Sequence, residues 1–329
     1  MKIMTIRYWI RCLLLILVIF GLITACSSYT VQNTVSSTEV VSKDCRIVKH
    51  TMGETCVPIN PQRIVTFSLP TLGNALTLGV KPLGSTFIDM LGEDTYLEGK
   101  VDSIQSLGIS SPNLEKILLI KPDIIIGWNA ERQFYPLLSK IAPTVLFNFQ
   151  ADKNWRDLFD FVTQILGKQE AAQQAWEHYN QRVKQLKVAL GVGAASPQEN
   201  RYQNKEISLV FIAPGVIFSE GRNSFPDSIL RDVGLQRPKA QNAIAPHTQI
   251  YFSLEELAKA DGDIMFVGTL NDDSQKFLEE LKQKPLWKKL RAVQYNRVYP
   301  INYLTWRAGN LLAADAVIDD LYKYLVKTQ

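Results

Sequence analysis

The sequence predicts an α/β protein of two Rossmann-like lobes with mainly parallel sheets, joined by one long linking helix. Three observations carry this. Residues 113–126, NLEKILLIKPDIII, and residues 253–266, SLEELAKADGDIMF, echo each other at an offset of 140. Each copy has an N-cap residue, a short amphipathic helix, a Pro-Asp or Gly-Asp break and an apolar, β-branched run. Strand and helix patterns alternate through both halves, as parallel sheets covered by helices require. Between the halves, residues 168–190 run without Gly or Pro, long enough for a helix of about 34 Å.

In the first half, 64–68 reads as a strand, 71–78 as a helix closed by Gly79, and 83–87 as a strand. The 113–121 helix, the 123–127 strand, a helix near 131–139 and a strand at 144–148 follow. A helix over 155–166 ends at Gly167. In the linking helix, Ala172, Ala175, Trp176, Tyr179, Val183, Leu186 and Leu190 recur at spacings of three and four, giving one apolar face. Residues 191–205 read as an exposed loop. In the second half, 207–212 and 216–219 read as strands, and 225–232 as a helix closed by Gly234. Next come a 254–260 helix, with Ser253 and Glu256 spaced as a capping box, and a 264–267 strand. A helical stretch near 274–290, a strand at 297–301 and a helix from about 308 to 325 complete the chain.

The chain has 329 residues, 46% of them apolar, and 36 Lys+Arg against 32 Asp+Glu. These figures exclude a disordered, collagen-like or disulfide-framework chain. The basic excess is a property of the leader. Lys2, Arg7 and Arg11 stand among 25 residues with no acid, and without them 33 bases face 32 acids, a net +1. A nucleic-acid partner is therefore not expected. The apolar run 13–23 has the length of a signal-peptide core. It ends in Leu22-Ile23-Thr24-Ala25-Cys26, which resembles a bacterial lipobox and implies cleavage before Cys26 and a lipid on its sulfur. The polar stretch that follows suits a flexible tether. The organisation read here is 1–25 signal peptide, 26–42 tether, 43–167 N-terminal lobe, 168–190 linking helix and 191–329 C-terminal lobe. Cys45 and Cys56 remain as a pair around a Met52-Gly53-Glu54 turn signal, so a disulfide across a hairpin is expected, worth about 2–3 kcal/mol. Only His50 stands near them, too few ligands for zinc.

Four stretches carry a family resemblance: QRIVTFSLPTLGNALTLGVKPLGST (62–86), SPNLEKILLIKPDIIIG (111–127), FSLEELAKADGDIMFVG (252–268) and PLWKKLRAVQYNRVYPINYLTWRAGNLLAADAVIDDLY (285–322). Together with the linking helix, they resemble the substrate-binding lipoproteins of iron-siderophore ABC importers, within the helix-linked (class III) periplasmic binding proteins. The resemblance implies capture of a ferric siderophore in an interlobe cleft and delivery to an ABC importer permease. It implies a monomer held by its lipid at a bacterial membrane, on the periplasmic side or at the cell surface. Cobalamin and haem are bound on the same scaffold and stay open as alternatives.

Ligands of open α/β sheets sit beyond the carboxyl ends of the strands. Those ends supply Thr71 and Trp128 in one half, and Arg222, Tyr303, Trp306 and Arg307 in the other. Iron in a siderophore is saturated by the chelator's own oxygens, so the protein needs no metal ligands and no cofactor. It needs fork-shaped cations for chelating oxygens and flat aromatic faces for the organic periphery. Arg222 and Arg307 fit the first role, and Trp128, Tyr303 and Trp306 the second. Arg222 is open between this role and a surface salt bridge, and Trp128 between this role and interlobe packing. Arg132 reads as a solvated helix residue. The three histidines, His50, His178 and His247, are scattered, unlike the converging sets of zinc- and manganese-binding relatives. Glu115 and Glu255 occupy equivalent positions in the two copies. The resemblance makes them candidates for docking on permease arginines, and first-turn acids also complement the helix dipole. The chain has no G-x-S-x-G, H-E-x-x-H, P-loop or G-x-G-x-x-G, so an enzyme is not expected. A surface sensor without a transport role is the remaining alternative.

Overall fold

The computed structural model describes residues 45–91, 95–109, 111–149, 155–193, 201–202, 204–243 and 249–327. The leader, Cys26, the tether and His247 lie outside the described residues. A hairpin comes first: β1 (Cys45–His50) pairs antiparallel with β2 (Gly53–Pro58). Its register sets Cys45 opposite Pro58 and Cys56 opposite Ile47, a diagonal pair with Cα atoms 5.6 Å apart that the disulfide joins. The hairpin tip leans on the first sheet. Thr51 donates its N–H (2.9 Å) and its hydroxyl (2.7 Å) to the Leu146 carbonyl, and His50 Nδ1 accepts from Leu146 N–H.

The first sheet has the order β5-β4-β3-β6-β7, all parallel. Its elements in chain order are β3 (Ile64–Thr66), α1 (Leu69–Thr77), β4 (Gly84–Ser85), β5 (Gln105–Ser106), α2 (Leu114–Ile120), β6 (Ile124–Trp128), α3 (Tyr135–Ile141) and β7 (Thr144–Phe147). β6 is the run IIIGW, buried on both faces up to Gly127, as a central parallel strand demands. α4 (Trp155–Leu166) then ends at Gly167, whose positive φ of 65° lets the chain turn directly into α5 (Gln169–Leu190), the linking helix. Ala172, Tyr179, Val183, Leu186 and Leu190 are its buried stripe.

The second sheet has the order β10-β9-β8-β11-β12. β8 (Ile207–Ala213) turns through Pro214-Gly215 into β9 (Val216–Glu220), which runs antiparallel to it. α6 (Phe225–Val233) and β10 (Gln249–Phe252) follow, β10 antiparallel to β9. β11 (Ile264–Thr269) lies parallel to β8, and β12 (Val298–Asn302) parallel to β11. Between them come α7 (Asp272–Gln283), α8 (Pro285–Lys288) and α9 (Arg291–Gln294), and α10 (Leu311–Leu321) follows β12.

The echo is a physical repeat. Asn113 accepts from Lys116 N–H at 3.0 Å at the start of α2, and Ser253 and Glu256 cap each other reciprocally at 3.3 and 3.4 Å. Asp123 accepts the backbone N–H groups of Gln62 (2.7 Å) and Arg63 (2.9 Å) where the chain enters β3. Asp263 accepts Glu206 N–H (2.9 Å) where it enters β8. Each Asp after the break therefore ties its own strand to the first strand of its sheet.

Several expected elements differ. The 254–260 helix is a turn followed by a short 3-10 helix, Leu257–Ala260. The 274–290 helix breaks at Lys284, held extended at ψ 139° by the proline after it. The last helix begins at 311, because Gly309 is left-handed and Asn310 is the N-cap. β5 and β10 were not expected.

The two lobes are fastened together beyond the linking helix. Trp155 Nε1 donates to Ser228 Oγ at 2.9 Å, and Asp232 accepts from Arg156 and from the Tyr179 hydroxyl, both at 2.6 Å. Close to Trp155, whose Cβ would lie 3.7 Å from a Cβ on Gly309, buried Asn310 caps α10 and donates to the Tyr96 hydroxyl at 2.8 Å. Its side chain fills the notch at Gly73 of α1, where a Cβ would lie 2.3 Å from Asn310 Cγ.

Candidate functional site

The second-lobe wall is built by the segment after β12. Asn302 Oδ1 accepts Thr305 N–H at 2.9 Å and turns the chain back over the sheet face. Tyr303 can lie there because residue 268 is glycine: a Cβ at 268 would meet the Tyr303 Cα at 3.3 Å and the Phe211 ring at 3.1 Å. The Tyr303 ring stands edge-on to Phe211 (5.7 Å) and Phe218 (6.3 Å). The Arg307 guanidinium lies over this shelf, 4.8 Å from the Tyr303 ring and 5.1 Å from Phe218. Its Nε donates to Glu220 at 2.6 Å and its Nη1 to the Tyr303 hydroxyl. The Arg307 side chain keeps 25% of its surface exposed, whereas the Glu220 side chain keeps 7%. Burial pushes the Tyr303 hydroxyl pKa up, and Arg307 beside it pulls the other way.

Glu220 also lies in the field of a second arginine. Burial lowers the Arg237 pKa, while Asp227 at 3.2 Å and then Glu220 act to hold its charge. Arg237 further donates to Ser219 at 2.8 Å, which pins the end of β9. Glu220 thus faces two guanidinium groups, and Arg307 is anchored without being fully neutralised. Tyr251, 60% exposed, extends the shelf 5.9 Å from Phe218.

The first-lobe wall is built at the end of β6. Trp128 is half-buried and packs edge-on against Phe149 at 5.2 Å. Its backbone N–H and indole Nε1 both donate to Glu131, at 3.0 and 2.8 Å. Gly127 makes room for that carboxylate, since a Cβ there would stand 3.2 Å from Glu131 Oε2. Burial raises the Glu131 pKa to about 7 against the opposing pull of the Trp128 bonds. The walls meet where a Cβ on Gly309 would lie 3.4 Å from the Phe149 ring. The path Trp128, Phe149, Gly309, Arg307 therefore crosses from one lobe to the other.

Two sequence-predicted residues are corrected. Thr71 is fully buried, and its hydroxyl donates to the Phe67 carbonyl at 2.7 Å within the first turn of α1. Trp306 is fully buried too, bonded through Nε1 to Asp320 at 2.7 Å and packed on Phe266 at 5.1 Å. Neither presents a side chain to the gap. Tyr303 and Arg307 are brought together. Arg222 follows Glu220 by two residues, is exposed, and carries no ion pair among the described residues. Glu115 and Glu255 are exposed on the two lobes, near the exposed Leu118, Leu119 and Leu254. Arg132 is exposed in a 3-10 turn. Glu220, Tyr251, Phe218 and Glu131 were missed. Only Glu131 left a sequence signal, an acid three residues after Trp128 at the start of a helical stretch.

Among the described residues, no helix is long and apolar enough to cross a membrane, and no group of three His, Cys, Asp or Glu is placed to hold a metal ion. Two α/β lobes on a long helix, with an arginine mounted on aromatics at their boundary, define a two-lobed ligand-binding protein. The chain belongs to the periplasmic binding protein family, whose model matches residues 89–303. It is 31% identical over 323 residues to the probable siderophore-binding lipoprotein YfiY of Bacillus subtilis (strain 168), covering 93% of this chain and 95% of that one. It is 30% identical over 309 residues to the Fe(3+)-citrate-binding protein YfmC of the same organism, covering 92% of each. Among solved structures, Staphylococcus aureus SirA complexed with staphyloferrin B matches with a TM-score of 0.72 at 27% identity, over 86% of this chain and 100% of that one.

Proposed function

We propose that this protein is an extracytoplasmic, lipid-anchored binding protein that captures a ferric siderophore between its lobes and delivers it to an ABC importer. The observation that carries this reading is Arg307, fixed by Glu220 over the Tyr303 and Phe218 rings, with a quarter of its side-chain surface left exposed. A guanidinium in that setting offers charge-assisted hydrogen bonds to chelator oxygens, and the surrounding rings offer apolar contact to the organic periphery. The names of YfiY and YfmC and the ligand of SirA support the same reading. The ligand set is Trp128, Arg222, Tyr303 and Arg307, with Tyr251 added. The iron is cargo, held by its chelator, and the protein binds it without turnover. Residues 1–25 act as signal peptide and 26–42 as tether, with the lipid on Cys26. Residues 43–167 and 191–329 form the lobes on either side of the 168–190 helix.

Glu115 and Glu255, one exposed acid on each lobe, dock onto the permease. Reversing both charges should abolish uptake while leaving ligand affinity unchanged, and uptake that survives both reversals sinks this role. The cargo is tested by titrating the purified protein with ferric citrate, a ferric catecholate and a ferric hydroxamate, followed by Trp fluorescence. Submicromolar binding of at least one is expected. Binding of cobalamin or haem, with none of the three, overturns the siderophore reading.

A further inference from the structure

We propose that Glu131 is a positioning residue for ligand capture, its carboxylate clamping the Trp128 indole in one orientation on the first-lobe wall. The inference rests on the reading of Trp128 as a ligand contact. Three observations carry it. One carboxylate takes both N–H groups of the same residue, the backbone at 3.0 Å and the indole at 2.8 Å, which fixes the side-chain torsions as well as the main chain. The carboxylate is buried, and the missing Cβ of Gly127 gives it its place. The opposite side of the indole is set by the edge-on contact with Phe149, whose own N–H is held by Asn129 Oδ1 at 3.0 Å. The ring is thus gripped at its nitrogen and along its edge before any ligand arrives, and a ligand meets a preformed surface.

Among the described residues, no cation pairs with this carboxylate. On the elements around it, the titratable or charged groups are Arg132 on its own turn, Tyr135 and the exposed Lys140 on α3, and His50 at the hairpin tip. Arg132 is exposed, and His50 is 5.6 Å from the Tyr135 ring and bonded to Leu146 N–H. None of them forms an ion pair with Glu131 among the described residues. The clamp is consequently sensitive to protons. Ionised Glu131 offers an acceptor oxygen to each N–H. Protonated Glu131 replaces one of these charge-assisted bonds with a weaker one to a hydroxyl, and the burial that raises its pKa to about 7 sets the changeover near neutrality. Ligand capture through Trp128 is stronger above that pH and weaker below it.

The decisive experiment has two arms. In the ligand-free, ¹⁵N-labelled protein, the Trp128 indole resonance, assigned by its absence in Trp128→Phe, should move between pH 8 and pH 6 with a midpoint near 7. Glu131→Gln should leave it stationary. In the second arm, affinity for a neutral ferric hydroxamate, whose own charge does not change in this range, should fall about threefold or more from pH 8 to pH 6. That fall should vanish in Glu131→Gln and in Trp128→Phe, and the double variant should be no worse than the poorer single one. A stationary indole resonance in the parent, or an unchanged pH profile in Glu131→Gln, overturns the clamp. If no ferric complex binds the parent, the siderophore reading fails and the role in capture falls with it, while the indole titration still decides whether the clamp exists.

Discussion

The two walls of the gap use the same chemical device for opposite ends. In the second lobe, the buried carboxylate of Glu220 holds a cation, Arg307, and lies in the field of another, Arg237. In the first lobe, the buried carboxylate of Glu131 holds a neutral ring, Trp128, and among the described residues has N–H dipoles alone to stabilise its charge. The difference teaches that burial alone does not determine what a carboxylate does. With arginine partners it becomes a mount that presents positive charge. With dipoles alone it stays poised to take a proton, because desolvation outweighs the hydrogen bonds from Trp128 and from its own backbone.

Removing the mounted cation should have the largest effect. Arg307→Ala should weaken an anionic ferric complex by about 3 kcal/mol, more than a hundredfold, and a neutral hydroxamate far less. Calorimetry on both complexes checks this, and equal losses would remove Arg307 from charge recognition. Next is the stability of the proton-poised wall. The folded pKa of Glu131, about 7, is raised above its usual 4.5. Its contribution to stability is therefore fully present below pH 4.5 and is lost as pH rises through 7, by about 3 kcal/mol in all. Glu131→Gln should flatten that part of the curve, so its denaturation midpoint relative to the parent should climb between pH 5 and pH 8. A constant offset would mean that the carboxylate is better solvated than its burial implies.

A smaller effect is expected between the walls. Gly73→Ala drives a methyl group into Asn310 and should cost about 1–3 kcal/mol of stability. Thermal unfolding with and without ligand would show whether the lobes also lose register. The smallest change is Tyr303→Phe, which removes one hydrogen bond from Arg307 and keeps the ring. A loss of about 0.5–1.5 kcal/mol in affinity for an anionic complex is expected.

Much of this architecture was legible because its determinants are local. Asn113 and Ser253 announce their caps, and Gly79, Gly167, Gly191 and Gly234 end helices with positive φ. The uninterrupted 168–190 stretch could only be a helix. The direction of a side chain beyond a strand end is not local. Trp306 and Arg307 are adjacent, yet one turns into the core and the other onto the shelf, because Phe266 and Asp320 take the indole while Glu220 takes the guanidinium. Glu220 and Tyr251 escaped notice for different reasons. Glu220 sits in the same β9 end that supplied Arg222, but an acid was not sought as the mount of a cation, and Tyr251 lies on β10, an antiparallel edge strand too short to be read. They reach the site only because residues 303–307 fold back over the sheet face. β5 is two residues long and β10 four, too short for a period to register.

The seating of Asn310 in the notch of Gly73, together with the Trp155–Ser228 and Arg156–Asp232 links, bears on how an empty molecule differs from a full one. With these fastenings added to the linking helix, the lobes have little room to swing. Cargo then changes what fills the gap while the outline stays constant, and the spacing between Leu118 and Leu254 becomes a fixed ruler. Fluorophores placed at those two exposed leucines should report one distance, loaded or unloaded. A receiving partner would have to sense occupancy by touch at the mouth, since the silhouette carries no message.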